Sequence, residues 1–202
     1  GDMDVLPRTE RLLARAGEQD PLFCAIGGDI AKANGRVWEY AKWDRWFQNY
    51  DKYMRTSDGR MIPILAAIGN HETNSLPSDS AEVKAPFYTA YFGRTQADGK
   101  TYFAQRFGQN VLFLVLDSGH IAPHGGDQAS WLAETLAANE GVRYKFAIYH
   151  IPLYPSHREF SDRGSTAGRT YWEPYFSAYG LTTAFESHDH SFKRSKLLSN
   201  GE

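Results

Sequence analysis

Side chains that can do chemistry recur at the ends of apolar runs in this sequence. The runs are "PLFCAIGGD", "MIPILAAIGNH", "RYKFAIYH" and "LTTAFESHDH". Carboxylate, carboxamide and imidazole groups together form a mixed oxygen and nitrogen ligand set. Such a set suits Mn, Fe or Zn, unlike the all-oxygen sites of calcium and the all-sulfur sites of structural zinc. The sequence therefore predicts a metal-dependent site, and its candidate residues are Asp29, Asn70, His71, His150, His188 and His190.

The last run ends in a His-x-His pair that has two interpretations. In an extended chain successive side chains alternate, so His188 and His190 would face one metal cluster while Asp189 points away. A His-x-His pair in a surface loop, taken alone, is more often an ordinary polar turn. The matching residues at the other strand ends favour the metal interpretation.

Length and composition predict one globular domain over residues 1–202 with one active site. Hydrophobic residues make up 42% and charged residues 23%, which excludes a disordered or fibrous chain. No apolar run approaches the roughly 20 residues of a membrane helix, so a membrane partner is not expected. The net charge of −2 provides no basic stripe, and nucleic acid is not favoured as a partner.

Cys24 is the only cysteine and lies inside the first apolar run, which predicts a small buried thiol in a strand. No signal peptide is visible. The chain begins abruptly at Gly1 and ends abruptly at Glu202. The sequence therefore leaves open whether the fold is truncated at both ends.

Strands and helices are predicted to alternate along the chain, which indicates an α/β fold. In open α/β sheets, ligands gather at the carboxyl ends of the strands. The less regular segment 73–110 is either an excursion over the site or an extra hairpin. Apolar runs predict strands at 21–29, 61–71, 111–119, 143–150 and 181–190. Amphipathic segments predict helices at 6–19, 37–54, 127–140 and 170–180.

The order and spacing of these blocks resemble the calcineurin-like metallophosphoesterases, and within them the purple acid phosphatase-like branch. The resemblance covers nearly the whole chain and includes the opening "GD", "GGDIAKANG", "AIGNHE", "LVLDSG", "DQASWLAETL", "YHIPLYPS" and "YWEPYFSAYGLTTAFESHDHSFKRS". It implies a four-layer α-β-β-α sandwich and a metal-dependent hydrolase of phosphate monoesters or diesters. It further implies a phosphorylated small-molecule substrate, and an extracytoplasmic location is common in this branch.

The family pattern implies two metal ions, of Mn, Fe or Zn, that share Asp29. It completes one ion with Asn70, His150 and His188. It completes the other with His190 and with the first aspartate of the fold, which is Asp2. The strand that should lead into Asp2 is missing from the sequence.

The resemblance also implies a mechanism. Two ions would clamp a phosphoryl oxygen and lower the pKa of a bridging water, and the resulting hydroxide would attack phosphorus in line. His71 is implied as a catalytic partner of the phosphate or of the leaving-group oxygen. His157 and Arg158 lie in a loop near the substrate, where Arg158 either holds a phosphate oxygen or is a solvated charge.

Three positions depart from the family pattern. Lys32 stands where the coloured branch has a tyrosine ligand, so no tyrosinate-to-iron colour is expected. Asp4 stands where other members have histidine, and it is either an extra ligand or a solvated residue at a helix start. Ser187 replaces the glycine before the final His-x-His pair.

A second interpretation is a degenerate phosphoesterase-like fold that serves as a non-catalytic binding module. Lys32, Ser187 and the uncertain position of Asp2 favour it. The retained candidate residues favour the enzyme, because a decayed site need not keep them all.

Several polar and aromatic residues are expected to be structural. His120 and His124 lie in "DSGHIAPHGGD" and are predicted at the surface, with a place in the lining of the site as the alternative. Asp117 is predicted to be a turn residue and Glu72 to orient its loop. Packing is predicted for the helically spaced tryptophans, Trp38, Trp43 and Trp46.

Overall fold

The computed structural model describes residues 1–77, 80–93 and 99–198, and within them the strands form two sheets. In the smaller sheet, β1 (Cys24–Ile26) pairs in parallel with β2 (Ile64–Ala66). The larger sheet has the order β3-β4-β5-β6, in which β3 and β4 are antiparallel and the other neighbours are parallel. Its strands are β3 (Phe103–Phe107), β4 (Val111–Val115), β5 (Tyr144–Ile148) and β6 (Thr183–Phe185).

Helices separate most of the strands in sequence. Short 3-10 helices precede α2 at Val37–Glu39 and follow β2 at Asn70–Glu72. The α-helices in the described residues are α1 (Pro7–Gly17), α2 (Tyr40–Tyr53), α3 (Ala81–Lys84), α4 (Pro86–Phe92), α5 (Asp127–Ala138), α6 (Arg163–Tyr171) and α7 (Glu173–Ala178).

Three apolar clusters show how the layers stack. The first lies between the smaller sheet and its helices, where Ile26 and Trp46 are buried together. The second lies between the larger sheet and its helices, where Leu114 and Leu132 are buried together. The third joins the two sheets and contains Leu65, Ala67, Phe103, Phe113, Val115 and Ile148. The order of layers is therefore α-β-β-α, and the predicted fold class is confirmed.

Strand β4 shows why the central runs are apolar without interruption. Its side chains alternate between the two faces of the sheet. Leu112 and Leu114 belong to the cluster beneath the helices, whereas Phe113 and Val115 face the other sheet. Both faces of this strand are buried, so polar residues first appear beyond its carboxyl end.

The N-terminal residues run beside the segment that follows β1. Backbone N–H groups of Asp2, Met3 and Asp4 donate to the carbonyls of Gly28, Asp29 and Ile30 at 2.8 to 3.0 Å. This pairing holds Asp2 against the carboxyl end of the smaller sheet.

The structure corrects one expectation about secondary structure and adds one helix. The predicted helix at 170–180 is two helices, α6 and α7, because Pro174 lies in the first turn of α7 and has no N–H to continue a helix through it. The sequence signal for α6 was Asp162, whose carboxylate accepts the Gly164 N–H at 2.9 Å and caps the helix. The other predicted helices and the five predicted strands are present with shorter bounds.

Segment 73–110 contains α3, α4 and β3, and β3 forms an antiparallel hairpin with β4, the strand that was already predicted just beyond the segment. Residues 78–79 and 94–98 of this segment lie outside the described residues.

The tryptophan predictions have a mixed outcome. Trp43 and Trp46 are buried in the first cluster, as expected. Trp38 is 72% exposed, so the prediction that it packs was wrong. It lies in the 3-10 helix before α2 and not in the amphipathic helix itself. Cys24 lies in β1 and is half-buried against the same cluster.

Among the described residues, no helix combines the length and the apolar character that crossing a membrane requires.

Candidate metal centre

Loops from both sheets bring the predicted site residues together at the carboxyl ends of the parallel strands. Ligand atoms of Asp29, His150 and His188 all lie within 4.8 Å of one another. Ligand atoms of Asp2, Asp29 and His190 form a second such group. We call Asn70, His150 and His188 the inner side, and Asp2 and His190 the outer side. Asp29 belongs to both groups and lies between the two sides.

The loop at Asp29 has a backbone that depends on glycine and on a buried carboxylate. Asp29 has φ of 53° and follows Gly28 at 78°. A Cβ on Gly28 would lie 2.6 Å from the backbone nitrogen of Gly69, so only glycine fits there. The Glu72 carboxylate accepts backbone N–H groups of Asp29, Ile30 and Gly69 at 2.7 to 2.8 Å. Glu72 therefore holds its own loop through Gly69, as predicted, and also the loop at Asp29.

Burial raises the pKa of Glu72 to about 7, and the nearby Asp29 carboxylate adds to the shift. Asp29 Oδ1 in turn accepts the His71 backbone N–H at 2.9 Å. The β1 and β2 loops are thus tied to each other through two carboxylates.

His150 holds the inner side together. Its Nδ1 lies 2.8 Å from the Gly27 carbonyl oxygen, which can only accept, so Nδ1 carries the proton and Nε2 a lone pair. Nε2 lies 3.0 Å from Asn70 Oδ1, 3.0 Å from His188 Nδ1 and 3.4 Å from Asp29 Oδ1. Burial lowers the pKa of His150 to about 3 and that of His188 to about 4.

The atoms on the inner side fit a metal ion. The Nε2 lone pair of His150 faces Asp29 Oδ1 and Asn70 Oδ1. Because the uncharged imidazole has no proton on Nε2, it donates a hydrogen bond to neither oxygen. A cation placed among these atoms would satisfy them all. One carboxylate, one amide oxygen and two imidazole nitrogens suit Mn, Fe or Zn.

The outer side is more open. Asp2 Oδ2 accepts the His188 backbone N–H at 2.8 Å, while its buried Oδ1 has no hydrogen bond to the described residues. His190 Nε2 lies 3.1 Å from that Oδ1. Lys32 Nζ lies 3.3 Å from His190 Nε2 and 4.0 Å from Asp29 Oδ2. A buried carboxylate oxygen that accepts no hydrogen bond from the described residues and lies beside an imidazole nitrogen also fits a metal ion.

The chain at the final His-x-His pair differs from the extended strand that we expected. His188 has φ of 69° and His190 has φ of 53°, so both lie in the left-handed region. Both rings nevertheless face the centre and Asp189 points away, although side-chain alternation in a strand is not the reason. Asp189 Oδ2 accepts the backbone N–H groups of Ser156 and His157 at 2.8 and 3.3 Å. These contacts determine the turn.

Ser187 is compatible with this turn. Its backbone N–H donates to the His150 carbonyl at 3.0 Å, and its own carbonyl accepts the Asp189 N–H at 2.8 Å. Serine in place of glycine therefore does not prevent the loop from forming.

His71 lies at the mouth of the centre, where its side chain is partly exposed. Its Nδ1 is hydrogen-bonded to Asn34 Oδ1, and its Nε2 lies 3.7 Å from Asp29 Oδ2. Asn34 was not among the residues predicted from the sequence. The available signal was its place in "GGDIAKANG", five residues after Asp29 and in the same loop.

The remaining candidates lie around the centre. The Arg158 guanidinium is partly exposed, with Nε 3.6 Å from Asp189 Oδ1 and Nη2 3.4 Å from the His188 carbonyl. His157 is exposed in the same loop. Asp4 Oδ1 accepts the Val5 N–H at 2.7 Å, and Asp4 belongs to neither group of clustered ligand atoms.

The loop after β4 contradicts the prediction of surface histidines. Asp117 is buried and accepts backbone N–H groups of His120, Ile121 and Ala122 at 2.7 to 3.0 Å, so it is the turn residue that we expected. The turn folds the loop inward. The His120 ring lies 5.5 Å from the His150 ring, and burial lowers its pKa.

His124 is also buried and packs on Trp172 at 4.5 Å between ring centroids. Burial lowers the pKa of His124 to about 4. The signal that could have found both histidines was their position just beyond the carboxyl end of a parallel strand, the edge where the centre forms.

Comparison with curated proteins finds purple acid phosphatases. Purple acid phosphatase 1 of Ipomoea batatas is 27% identical over 167 residues, which are 79% of this chain and 33% of that protein. Fe(3+)-Zn(2+) purple acid phosphatase 12 of Arabidopsis thaliana is 26% identical over 172 residues, 79% of this chain and 34% of the relative. Phosphoenolpyruvate phosphatase of Allium cepa is 26% identical over 188 residues, 86% of this chain and 36% of the relative.

The chain thus spans about a third of the length of these three relatives. The sequence model described as calcineurin-like phosphoesterase matches residues 2–192, which include every candidate residue of the centre. This chain therefore belongs to the calcineurin-like phosphoesterase family.

Proposed function

We propose that residues 1–202 form one catalytic domain that hydrolyses phosphate esters at a centre for two metal ions. The position of Asp29 carries the proposal. Its Oδ1 faces His150 on the inner side at 3.4 Å, and its Oδ2 faces the outer side. A buried carboxylate that belongs to two adjacent ligand groups is the arrangement that a pair of ions requires.

Asn70, His150 and His188 would hold the inner ion, Asp2 and His190 the outer ion, and Asp29 both. Mn, Fe and Zn all suit these ligands. Ions bound there supply positive charge for the phosphoryl oxygens and a water of lowered pKa as nucleophile. Hydrogen bonds from the backbone orient the ligands: the Gly27 carbonyl accepts from His150 Nδ1, and the His188 N–H donates to Asp2 Oδ2.

His71 is proposed to assist the leaving group. Asn34 fixes its ring at the mouth of the centre through Nδ1. Because Asn34 Oδ1 accepts from Nδ1, His71 can donate a proton through Nε2 when the ring carries both protons. The departing oxygen would then leave as a neutral hydroxyl group.

Arg158 is proposed to bind a phosphate oxygen, with His157 beside it. The guanidinium is partly exposed and its ion pair with Asp189 uses one edge of the planar group, which leaves other N–H groups for a ligand. A phosphorylated small molecule is the proposed substrate, and the names of the relatives as phosphatases support a phosphomonoester. An extracytoplasmic location is proposed from family membership alone.

The test combines metal content with turnover. We expect purified chain loaded with Mn²⁺, Zn²⁺ or Fe²⁺ to hold two ions by mass spectrometry and to release phosphate from p-nitrophenyl phosphate. His150→Ala and His188→Ala should lower turnover by more than about 100-fold. Removal of a residue that only hydrogen-bonds to a metal ligand already lowers metal affinity or activity by about 10- to 100-fold, and these two residues are proposed to be ligands themselves.

Circular dichroism and thermal melts of each variant check that the chain remains folded. Turnover that persists after chelation would contradict the proposal. A folded chain that takes up no ion and releases no phosphate would instead support the binding-module interpretation.

A further inference from the structure

Lys32 places a positive charge inside the outer side of the centre. Its side chain is only 16% exposed and its Nζ lies 3.3 Å from His190 Nε2. The loop holds it there, because Lys32 has φ of 52° and its carbonyl accepts the Lys42 ammonium at 3.1 Å. The nearest carboxylate oxygen, Asp29 Oδ2, is 4.0 Å away, at the limit of an ion pair.

The contacts of Lys32 are confined to one side. Asp29 Oδ2 and His190 are its partners, whereas Asp29 Oδ1 faces His150. An ion held by Asp2 and His190 would therefore lie close to the ammonium, and an ion on the inner side would lie farther from it. Repulsion between charges grows with their product and falls with distance. Each additional unit of charge on the ion therefore increases the repulsion by Lys32 more at the outer side than at the inner side.

The fixed negative charge on the outer side is small. Asp2 and Asp29 are the carboxylates in its ligand group, and Asp29 is shared with the inner side. Glu72 does not add a ligand, since both of its oxygens accept backbone N–H groups of the β1 and β2 loops. A trivalent ion would face an ammonium with few carboxylates to offset its charge.

We propose that Lys32 restricts the outer side to a divalent ion, so that this chain assembles a centre of two divalent ions. The inference rests on the proposed metal-binding function. A merely structural Lys32 would stabilise the loop through Asp29 and have no effect on the charge of the ion that binds.

The experiment compares a divalent with a redox-inert trivalent ion. Unsubstituted chain, Lys32→Met and Lys32→Arg are titrated with Mn²⁺ and with Ga³⁺ in chelator-buffered solution. Bound ions are counted by mass spectrometry, and affinities are obtained by competition with the chelator. Lys52→Met is the matched control, because Lys52 is a lysine of helix α2 that lies over Tyr53.

We expect two bound Mn²⁺ ions in the unsubstituted chain. Lys32→Met should raise the ratio of Ga³⁺ affinity to Mn²⁺ affinity at the outer side by at least about tenfold. The substitution removes one positive charge, and Ga³⁺ has one unit of charge more than Mn²⁺ to be repelled by it. Lys32→Arg, which keeps the charge, and Lys52→Met should leave the ratio unchanged.

Two results would overturn the inference alone. One is an equal ratio in Lys32→Met and the unsubstituted chain. The other is an unsubstituted chain that retains one Ga³⁺ beside one Mn²⁺ and loses the Ga³⁺, but not the Mn²⁺, when His190 is replaced in His190→Ala. An unsubstituted chain that takes up neither ion would overturn the proposed function together with this inference.

Discussion

The inner and outer sides of the centre share Asp29 but differ in how firmly their ligands are held. The His150 side chain is 0% exposed and both of its ring nitrogens have neighbours that define the tautomer. The His190 side chain is 55% exposed, and its ring contacts Lys32 and Asp2 at the edge of the protein. Preorganised ligands lose less conformational entropy when they bind an ion, so the inner side should bind its ion more tightly.

Removal of the shared carboxylate should have the largest effect. Asp29→Asn replaces an anion that both sides use, so we expect both ions to be lost and turnover to fall by more than about 100-fold. Metal analysis and phosphate release measure this, with Asp51→Asn on the exposed face of α2 as the matched control. An Asp29→Asn chain that retained two ions would show that the two sides do not depend on this residue.

Removal of one histidine from the inner side and one from the outer side should have unequal effects. His150→Ala should lose the inner ion and, because the buried carbonyl of Gly27 loses its donor, about 1 to 3 kcal/mol of the free energy of unfolding. His190→Ala should lose only the outer ion and leave the thermal melt unchanged. Equal effects of the two variants on unfolding would contradict the difference that we describe.

Acid should destabilise the metal-free chain through its inner side. Burial lowers the pKa of His150 to about 3 and of His188 to about 4, from 6.5. As pH falls from 6.5 towards 4, the unfolded chain takes up protons that the folded chain does not, so stability is present above pH 6.5 and is lost below it.

The raised pKa of Glu72 acts in the opposite direction over the same range, so the contribution of His150 is measured by comparing urea unfolding of the unsubstituted chain with that of His150→Gln. We expect the unsubstituted chain to lose about 2 kcal/mol or more relative to His150→Gln between pH 6.5 and 4. The same pH dependence in both chains would argue against a neutral, buried His150.

The smallest effect is expected at Asn34, which contacts His71 and is not proposed to bind metal. Asn34→Ala should leave two ions bound and slow hydrolysis of an alkyl phosphate by about tenfold, because an alkoxide needs a proton to depart. The effect on p-nitrophenyl phosphate should be smaller, since nitrophenolate leaves without one. Asn110→Ala in the β3–β4 turn is the control, and a uniform effect on both substrates would show that Asn34 acts on binding.

Much of the fold followed from periodicity. The run "VLFLVLDSG" predicts a strand buried on both faces, and β4 is such a strand. The break between α6 and α7 was harder to predict, because Trp172 and Pro174 interrupt a pattern that otherwise continues through both helices. Trp38 was misplaced because its spacing matches α2, although the helix begins only at Tyr40.

The sequence by itself determined which residues could meet. Asp29, Asn70, His150 and His188 follow strands, and residues beyond the carboxyl ends of parallel strands share one edge of a fold. No knowledge of side-chain contacts was needed for that prediction.

Only the tertiary structure decided how these residues are oriented. Asp189 shapes the final turn through the backbone of Ser156, 33 residues away, and Glu72 orients Asp29 from 43 residues away. The inward fold of His120 and the position of the Lys32 ammonium beside His190 likewise depend on contacts that no local pattern contains. Side-chain direction in a loop is set by hydrogen bonds to distant segments, because a loop has no repeating backbone geometry to set it.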